Sequence, residues 1–377
     1  MRFREIRMLM EAEARIDHAE DIIYKEGSKG VLRVLDSLKT LEQKGHKDVT
    51  IKWDGSPAVI FGRNENGDFV FTDKGGFSAS GYDGKTTSAE DVRQMFLNRS
   101  GGKKRNDPKQ IAFSNAMADL FNQFELIVPQ DHRGYFKGDL LYSQTPKQTK
   151  GNYVFTPNIV TYAVDADSDL GKRIGASNAG IVIHRQVDFD GEEKPLGDID
   201  MFTGDNVLVV PPITVEQPAT KLSPAVSKLE TVVKQNAGKI DELLDRVTLS
   251  SLKMTDFPKI LYSYTNNKVD TGLTNIGADF FDWLENKNGI SQVKKQRIAE
   301  YVSQHKEAWK ALWKTYTAIL QIKDKVISQF DAQGSTVKQS IKGFGAGGEG
   351  YVLAHPEGDI KLVPRATFTA ANRAVKR

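Results

Sequence analysis

The sequence predicts an α+β chain in which mainly antiparallel sheets with flanking helices form a core that an all-helical insertion interrupts. Three observations carry this. From Val49 to Phe71, and again near 135–187 and 206–210, apolar residues follow period two and are rich in Val, Ile, Phe and Tyr. From Ser223 to about Phe330 they repeat instead at helical period, with few strand signals. Strand signals then return at Gly350 to Ala354 and Asp359 to Val363, so the helical run lies within the sheet-bearing part of the chain. This gives a first core part with N-terminal helices at 1–212, a helical module at 213–335, and the last core strands with a terminal helix at 336–377.

The elements run in order. Ile22, Ile23, Val31, Leu32, Val34, Leu35, Leu38 and Leu41 fall at helical spacing, and Gly27 and Gly30 break the run into two predicted helices. Strands are predicted near 48–53, 57–63 and 68–72, with a turn signal at Asn64 to Asp68. Ser88 followed by Glu90 and Asp91 opens a helix to about Asn98; residues 101–108 (GGKKRNDP) form a loop and Ile111 to Phe124 a second helix. Further strands are expected at 135–141, 159–164, 180–187 and 206–210. In the helical module one helix places Ile298, Tyr301, Val302, Trp309, Leu312, Trp313, Tyr316, Ile319 and Leu320 on one face, which reads as core packing.

Composition excludes several classes. With 39% hydrophobic and 27% charged residues the chain is ordinary for a globular protein, and no apolar stretch approaches the roughly 20 residues of a membrane span. The start, MRFREIRMLMEAEARID, carries acids where a signal peptide would be apolar, so a cytoplasmic protein without membrane partners is expected. With no cysteine there is no disulfide, thiol nucleophile or cysteine-ligated zinc. A metal would be held by oxygen or histidine, which suits a hard cation such as magnesium. His18, His46, His132, His184, His305 and His355 show no zinc-hydrolase spacing and are expected at the surface. Gly343-Phe344-Gly345-Ala346-Gly347-Gly348 matches G-x-G-x-x-G but leads into a strand, the reverse of a dinucleotide fold. A net charge of +3 permits nucleic-acid binding without requiring it.

The chemistry-bearing stretch is Ile51-Lys52-Trp53-Asp54-Gly55-Ser56, where a strand runs into a tight turn. An amine nucleophile must be neutral to attack, which takes desolvation or neighbouring positive charge. Taken alone, the tetrapeptide reads equally well as an Asp-Gly turn with a surface lysine. Its weight comes from four further segments that succeed it in order along the chain. They are Tyr135-Phe136-Lys137-Gly138-Asp139-Leu140-Leu141, Tyr162-Ala163-Val164-Asp165, Glu349-Gly350-Tyr351-Val352-Leu353 and Ile360-Lys361-Leu362-Val363.

This series resembles the ordered motifs of the covalent nucleotidyltransferase superfamily, which comprises ATP-dependent DNA ligases, RNA ligases and mRNA-capping guanylyltransferases. The resemblance covers roughly 48–210 and 340–365 and implies a ligase-type core with the nucleotide in a groove between its sheets. It makes Lys52 the lysine that becomes linked to AMP, and places Ile51, Asp54, Gly55, Lys74, Asp139, Tyr162 and Lys361 at the nucleotide. Asp139 and Glu349 would hold Mg2+ or Mn2+, Lys361 would contact the α-phosphate, and Tyr162 would stack on the purine. One nucleophile, acids for the metal and cations for phosphate are what phosphoryl transfer requires. Arg63 is better read as structural.

Departures narrow the reading. Pro57 stands where DNA ligases usually have arginine, and Ser56 with Glu349-Gly350-Tyr351-Val352 looks more like RNA ligases. The last motif commonly has a second lysine where this chain has Val363, leaving Arg365 as the candidate replacement. The implied activity is an ATP-dependent ligase, with RNA the expected substrate, that joins 5′-phosphate to 3′-hydroxyl ends as a monomer. The alternatives are a DNA ligase, a GTP-using capping enzyme, or a non-catalytic nucleic-acid-binding protein. Two basic clusters, Lys103, Lys104 and Arg105, and Lys294, Lys295 and Arg297, are the candidate nucleic-acid contacts.

Overall fold

The computed structural model describes residues 17–43, 49–80, 86–211, 222–332, 337–341, 343, 345–355 and 357–376. His46, Phe344 and both expected limits of the helical module lie outside the described residues. The chain begins with β1 (Asp17–His18), α1 (Ile22–Gln43), β2 (Val49–Ile51), β3 (Ala58–Arg63) and β4 (Phe69–Asp73). Helices α2 (Lys74–Ser80), α3 (Ala89–Leu97) and α4 (Pro108–Ile127) come next. They are followed by β5 (Gly134–Tyr142), β6 (Lys147–Thr149), β7 (Asn152–Phe155), β8 (Val160–Asp165), α5 (Asp169–Ala176), β9 (Ala179–Val187), β10 (Glu193–Pro195) and β11 (Val207–Val210). The helical run is α6 (Ser223–Leu243), α7 (Arg246–Ser251), α8 (Phe257–Lys268), α9 (Phe280–Asn286), α10 (Gln292–Gln304) and α11 (Lys306–Ala332). The chain closes with β12 (Val337–Ile341), β13 (Gly345–Ala346), β14 (Tyr351–Leu353), β15 (Ile360–Leu362) and α12 (Arg365–Lys376).

These elements form two compact units: residues 1–51, 214–334 and 349–377 in the first, and 52–213 with 335–348 in the second. The helical run therefore does not stand alone as 213–335. It shares a core with α1, which packs against α6 and buries Val31, Val34, Leu35 and Leu38. Polar ties add to this: the Ser28 backbone N–H and hydroxyl both donate to the Asp241 carboxylate at 2.7 Å, and Lys39 pairs with Glu230. Gly27 does break the first helix, at φ 60°, but helix resumes at once and Gly30 stays within it. The predicted helix through Ile298 and Leu320 is two helices, interrupted at His305 (φ −114°, ψ 37°), whose N–H caps α10 by donating to the Tyr301 and Val302 carbonyls. Its apolar face is core as expected, with Trp309 half-buried and the rest buried.

The first unit also holds a four-stranded sheet in the order β1-β15-β14-β2, in which β14 runs antiparallel to both neighbours. Alternation buries Val49, Ile51, Tyr351, Leu353, Ile360 and Leu362 on one face, while Thr50, Val352 and Lys361 lie in register and half-buried on the other.

The second unit has two sheets. One runs β10-β9-β5-β3-β4 with β11 parallel to β9, and the other β13-β12-β8-β7-β6, antiparallel throughout. Phe61, Phe71, Phe124, Phe136 and Ile181 form the core between the first sheet and helices α3 and α4. The Ser88 hydroxyl caps α3 by accepting from the Asp91 N–H at 3.1 Å. Asp107 and Pro108 start α4 three residues ahead of the predicted Ile111, as an N-cap followed by proline at the first helical position does.

Candidate functional site

The turn at 52–57 is built from the second unit's own residues. Lys52, its first residue, is half-buried. Trp53 is buried and packs against the Tyr162 ring with centroids 4.6 Å apart and against Phe155 at 6.3 Å. The Asp54 backbone N–H donates to the Tyr162 hydroxyl at 2.6 Å. Its carboxylate accepts from Asn158 Nδ2 (2.8 Å), Ile159 N–H (2.8 Å) and Val160 N–H (3.0 Å). Asp54 therefore braces the turn onto β8. The roles expected for these two residues at the nucleotide need correction: both Asp54 oxygens are engaged, and Tyr162, at 0% exposure, offers its ring to Trp53 rather than to a purine. Ile51 has its side chain in the first unit's buried face, so it has only backbone to offer.

Gly55 fixes the turn on β5. A Cβ there would stand 2.5 Å from Asp139 Cβ and 2.9 Å from the Leu140 carbonyl oxygen, distances that real side chains do not reach. The backbone is stitched down on both sides: the Ser56 N–H donates to the Leu140 carbonyl at 2.9 Å, and the Leu140 N–H to the Pro57 carbonyl at 3.1 Å. Asp139 thus lies directly against the glycine of the lysine turn. Its Oδ2 accepts a hydrogen bond from His184 Nε2 at 3.1 Å. Sequence spacing passes over His184; the signal available was its place where the apolar run Ile181-Val182-Ile183 gives way to the polar His184-Arg185-Gln186 within one strand.

Other expected residues separate by environment. Lys74 is exposed at the start of α2. Arg63 is buried and donates to the carbonyls of Gly67, Glu125, Val128 and Pro129, a structural role as read from sequence. Lys103, Lys104 and Arg105 are exposed in the turn before α4, without an acidic partner among the described residues. The second basic cluster is largely consumed internally, which corrects its reading as a nucleic-acid contact. Lys295 is buried with its ammonium on the Glu285 carbonyl, Lys294 pairs with Asp256 at 2.9 Å, and Arg297 is half-buried.

In the first unit, Glu349 and Gly350 lead into β14, and Lys361 sits on β15 opposite Val352. Gly350 takes φ 117°, in the left-handed region that favours glycine. Arg365 does not supply the missing second phosphate cation of the last motif. It is buried, donating to Asp21 at 2.9 and 3.1 Å, to Glu20 at 3.3 Å and to Asn266 at 2.5 Å.

The two acids expected to hold magnesium, Asp139 and Glu349, belong to different units. The grouping of three acids close enough to share an ion among the described residues is a different one, Asp188, Asp190 and Glu192 in the turn from β9 to β10, where Asp188 also pairs with Lys194. Among the described residues no helix is long and apolar enough to cross a membrane.

Fold and site together define a mixed α+β protein of mainly antiparallel sheets with a lysine turn braced on one of them. A family model described as a family of unknown function, DUF6267, matches residues 13–377, and the chain belongs to that family. No curated protein and no solved structure matches it.

Proposed function

We propose that this protein is an ATP-dependent polynucleotide ligase acting on RNA ends through a lysyl-AMP intermediate at Lys52. One observation carries the reading. The strands bearing three of the motifs come from opposite ends of the chain, yet β2, β14 and β15 adjoin in one sheet. The register sets Tyr351 opposite Ile51 in antiparallel fashion, so the chain enters β14 from Glu349-Gly350 at the end of the sheet where it leaves β2 for Lys52.

In this reading the neutral Lys52 amine attacks the α-phosphorus of ATP; an N–P bond forms, the bond to the β-phosphate oxygen breaks, and pyrophosphate leaves. A 5′-phosphate oxygen then attacks the same phosphorus and releases the lysine. Attack of a 3′-hydroxyl on the activated 5′-phosphate joins the ends and expels AMP. Asp139 would help to hold a magnesium or manganese ion, which would supply charge neutralisation on the leaving phosphates. Lys74 adds positive charge, and Gly55 keeps the turn close to Asp139. The test is joining of a 5′-phosphorylated RNA to a 3′-hydroxyl end, with ATP or GTP, by wild type and Lys52→Ala. Joining of DNA in preference to RNA points to a DNA ligase, and a GMP adduct to a capping-type enzyme.

Two observations favour a second reading, a non-catalytic nucleic-acid-binding protein: Tyr162 and Arg365 are both committed to internal contacts. On that reading Lys52→Ala leaves nucleic-acid binding intact and wild type never carries AMP.

Both readings put the nucleic-acid backbone at the Lys103 to Arg105 loop. Replacing all three cations with alanine is expected to weaken oligonucleotide binding and to lower the slope of log affinity against log salt by about 2–3, at roughly 0.7–0.9 per phosphate contact. Fluorescence anisotropy between about 50 and 200 mM salt reads this. An unchanged slope moves the interface elsewhere.

A further inference from the structure

We infer that His184 is the positioning residue for Asp139 in nucleotide attachment, an inference that rests on the ligase reading. The pairing of β5 with β9 slips at two places, and one of them skips His184: Lys137 stands opposite Arg185 and Gly138 opposite Ile183, whereas the other skips Leu141 on β5. His184 is the extra residue of a β-bulge, a device that re-aims a side chain out of simple alternation. Here it brings Nε2 to 3.1 Å from Asp139 Oδ2. A carboxylate only accepts, so the imidazole nitrogen carries the hydrogen.

Stability does not account for the bulge. The two side chains are 32% and 25% exposed, and ion pairs in contact with water contribute little. The core side of the strand, through Ile181 and Ile183, is already buried without help from the bulged residue. What the pair does achieve is to fix one oxygen of the carboxylate that lies under Gly55. The other oxygen, Oδ1, has no hydrogen-bond partner among the described residues and is left for a ribose hydroxyl or a metal ion. Groups that orient a ligand-bearing carboxylate in this way are typically worth about 10–100-fold in affinity or activity.

The experiment measures AMP attachment at varied Mg·ATP for wild type, His184→Ala, His184→Gln, Asp139→Asn and the Asp139→Asn/His184→Ala pair, with melting curves for each. His184→Ala is expected to raise KM for Mg·ATP by about 10–100-fold with a smaller change in kcat. Gln places an amide N–H where Nε2 stands and is expected to restore most of the loss. In the Asp139→Asn background, removing His184 is expected to add nothing, because the two act as one unit. An active wild type with His184→Ala unchanged, or with His184→Gln as impaired as His184→Ala at equal melting temperature, overturns the inference alone. A wild type that attaches no nucleotide overturns the ligase reading and takes the inference with it.

Discussion

Lys323→Ala is expected to destabilise the first unit by about 3–5 kcal/mol, the usual cost of breaking a buried ion pair from one side. Lys323 is 1% exposed and its ammonium lies 2.8 Å from Glu20 Oε1, which is itself 0% exposed. Arg365 completes the cluster from the start of α12, reaching both Glu20 and Asp21, while the Tyr316 hydroxyl donates to Asp21 at 3.1 Å. Burial pushes the Asp21 carboxyl up to about 7, so Glu20 is the anion that Lys323 chiefly serves; truncating the lysine leaves this buried carboxylate with only the longer contact to Arg365. Burial alone pushes Glu20 up, but Lys323, His18 and Arg365 outweigh it and hold its carboxyl down at about 2. A depressed acid contributes stability that is present above the ordinary carboxylate range and lost as pH falls toward 2. Wild type should therefore lose stability on acidification below about pH 4.5, and Lys323→Ala should lose less of it over that range. Urea unfolding across pH measures both. The paired replacement Glu20→Gln with Lys323→Met is expected to cost far less than Lys323→Ala, since no lone charge remains. Equal costs would show that the cluster's charges do not depend on one another.

Asp54→Ala carries the second large effect, and it separates bracing from ligand contact. The carboxylate satisfies two backbone N–H groups and the Asn158 amide, and hydrogen bonds to charged groups are worth roughly 1.5–3 kcal/mol each. Removing it leaves the Ile159 and Val160 donors unpaired and unseats the turn that begins at Lys52. A loss of several kcal/mol is expected, together with loss of nucleotide attachment; Asp54→Asn, which keeps one acceptor, is expected to fall between. Thermal melting alongside adduct formation decides the role. Abolished attachment at an unchanged melting temperature would mean that Asp54 touches the nucleotide and that its three internal bonds are dispensable.

Much of the fold was legible because the signals were local. Ser88 capping, the glycine break at Gly27, and the period-two runs of β3, β5, β8 and β9 depend on a few neighbouring residues. Elements whose signal lies in a partner strand were missed. Strand β6 and the turn after it read Lys-Gln-Thr-Lys-Gly-Asn, polar throughout, with Lys150 (φ 49°) and Gly151 (φ 77°) making the turn into β7. Strand β12 was hidden because its pairing with β8 joins segments far apart in the chain. The helical run was legible as helix but not as part of a unit with α1, since periodicity tells which face is apolar and not what covers it.

The site divides along the same line. Lys52, Gly55 and Asp139 were singled out through the family resemblance; the structure puts Gly55 against Asp139, with no room for a side chain at the glycine. Tyr162, Arg365 and Lys295 were the right types in plausible places, but burial committed them to internal partners, which spacing does not encode. His184 reaches Asp139 through a bulge, and a one-residue register shift depends on the partner strand, which the residues around His184 do not specify.

The most direct measurement is intact-mass analysis of wild type and Lys52→Ala after incubation with magnesium and ATP, with the adduct then located by peptide fragmentation. The account predicts an AMP-sized gain on wild type alone, carried by the lysine of the peptide containing Trp53-Asp54-Gly55. A wild type shown to be free of bound AMP beforehand that acquires no adduct, or an adduct on another residue that survives Lys52→Ala, would contradict it.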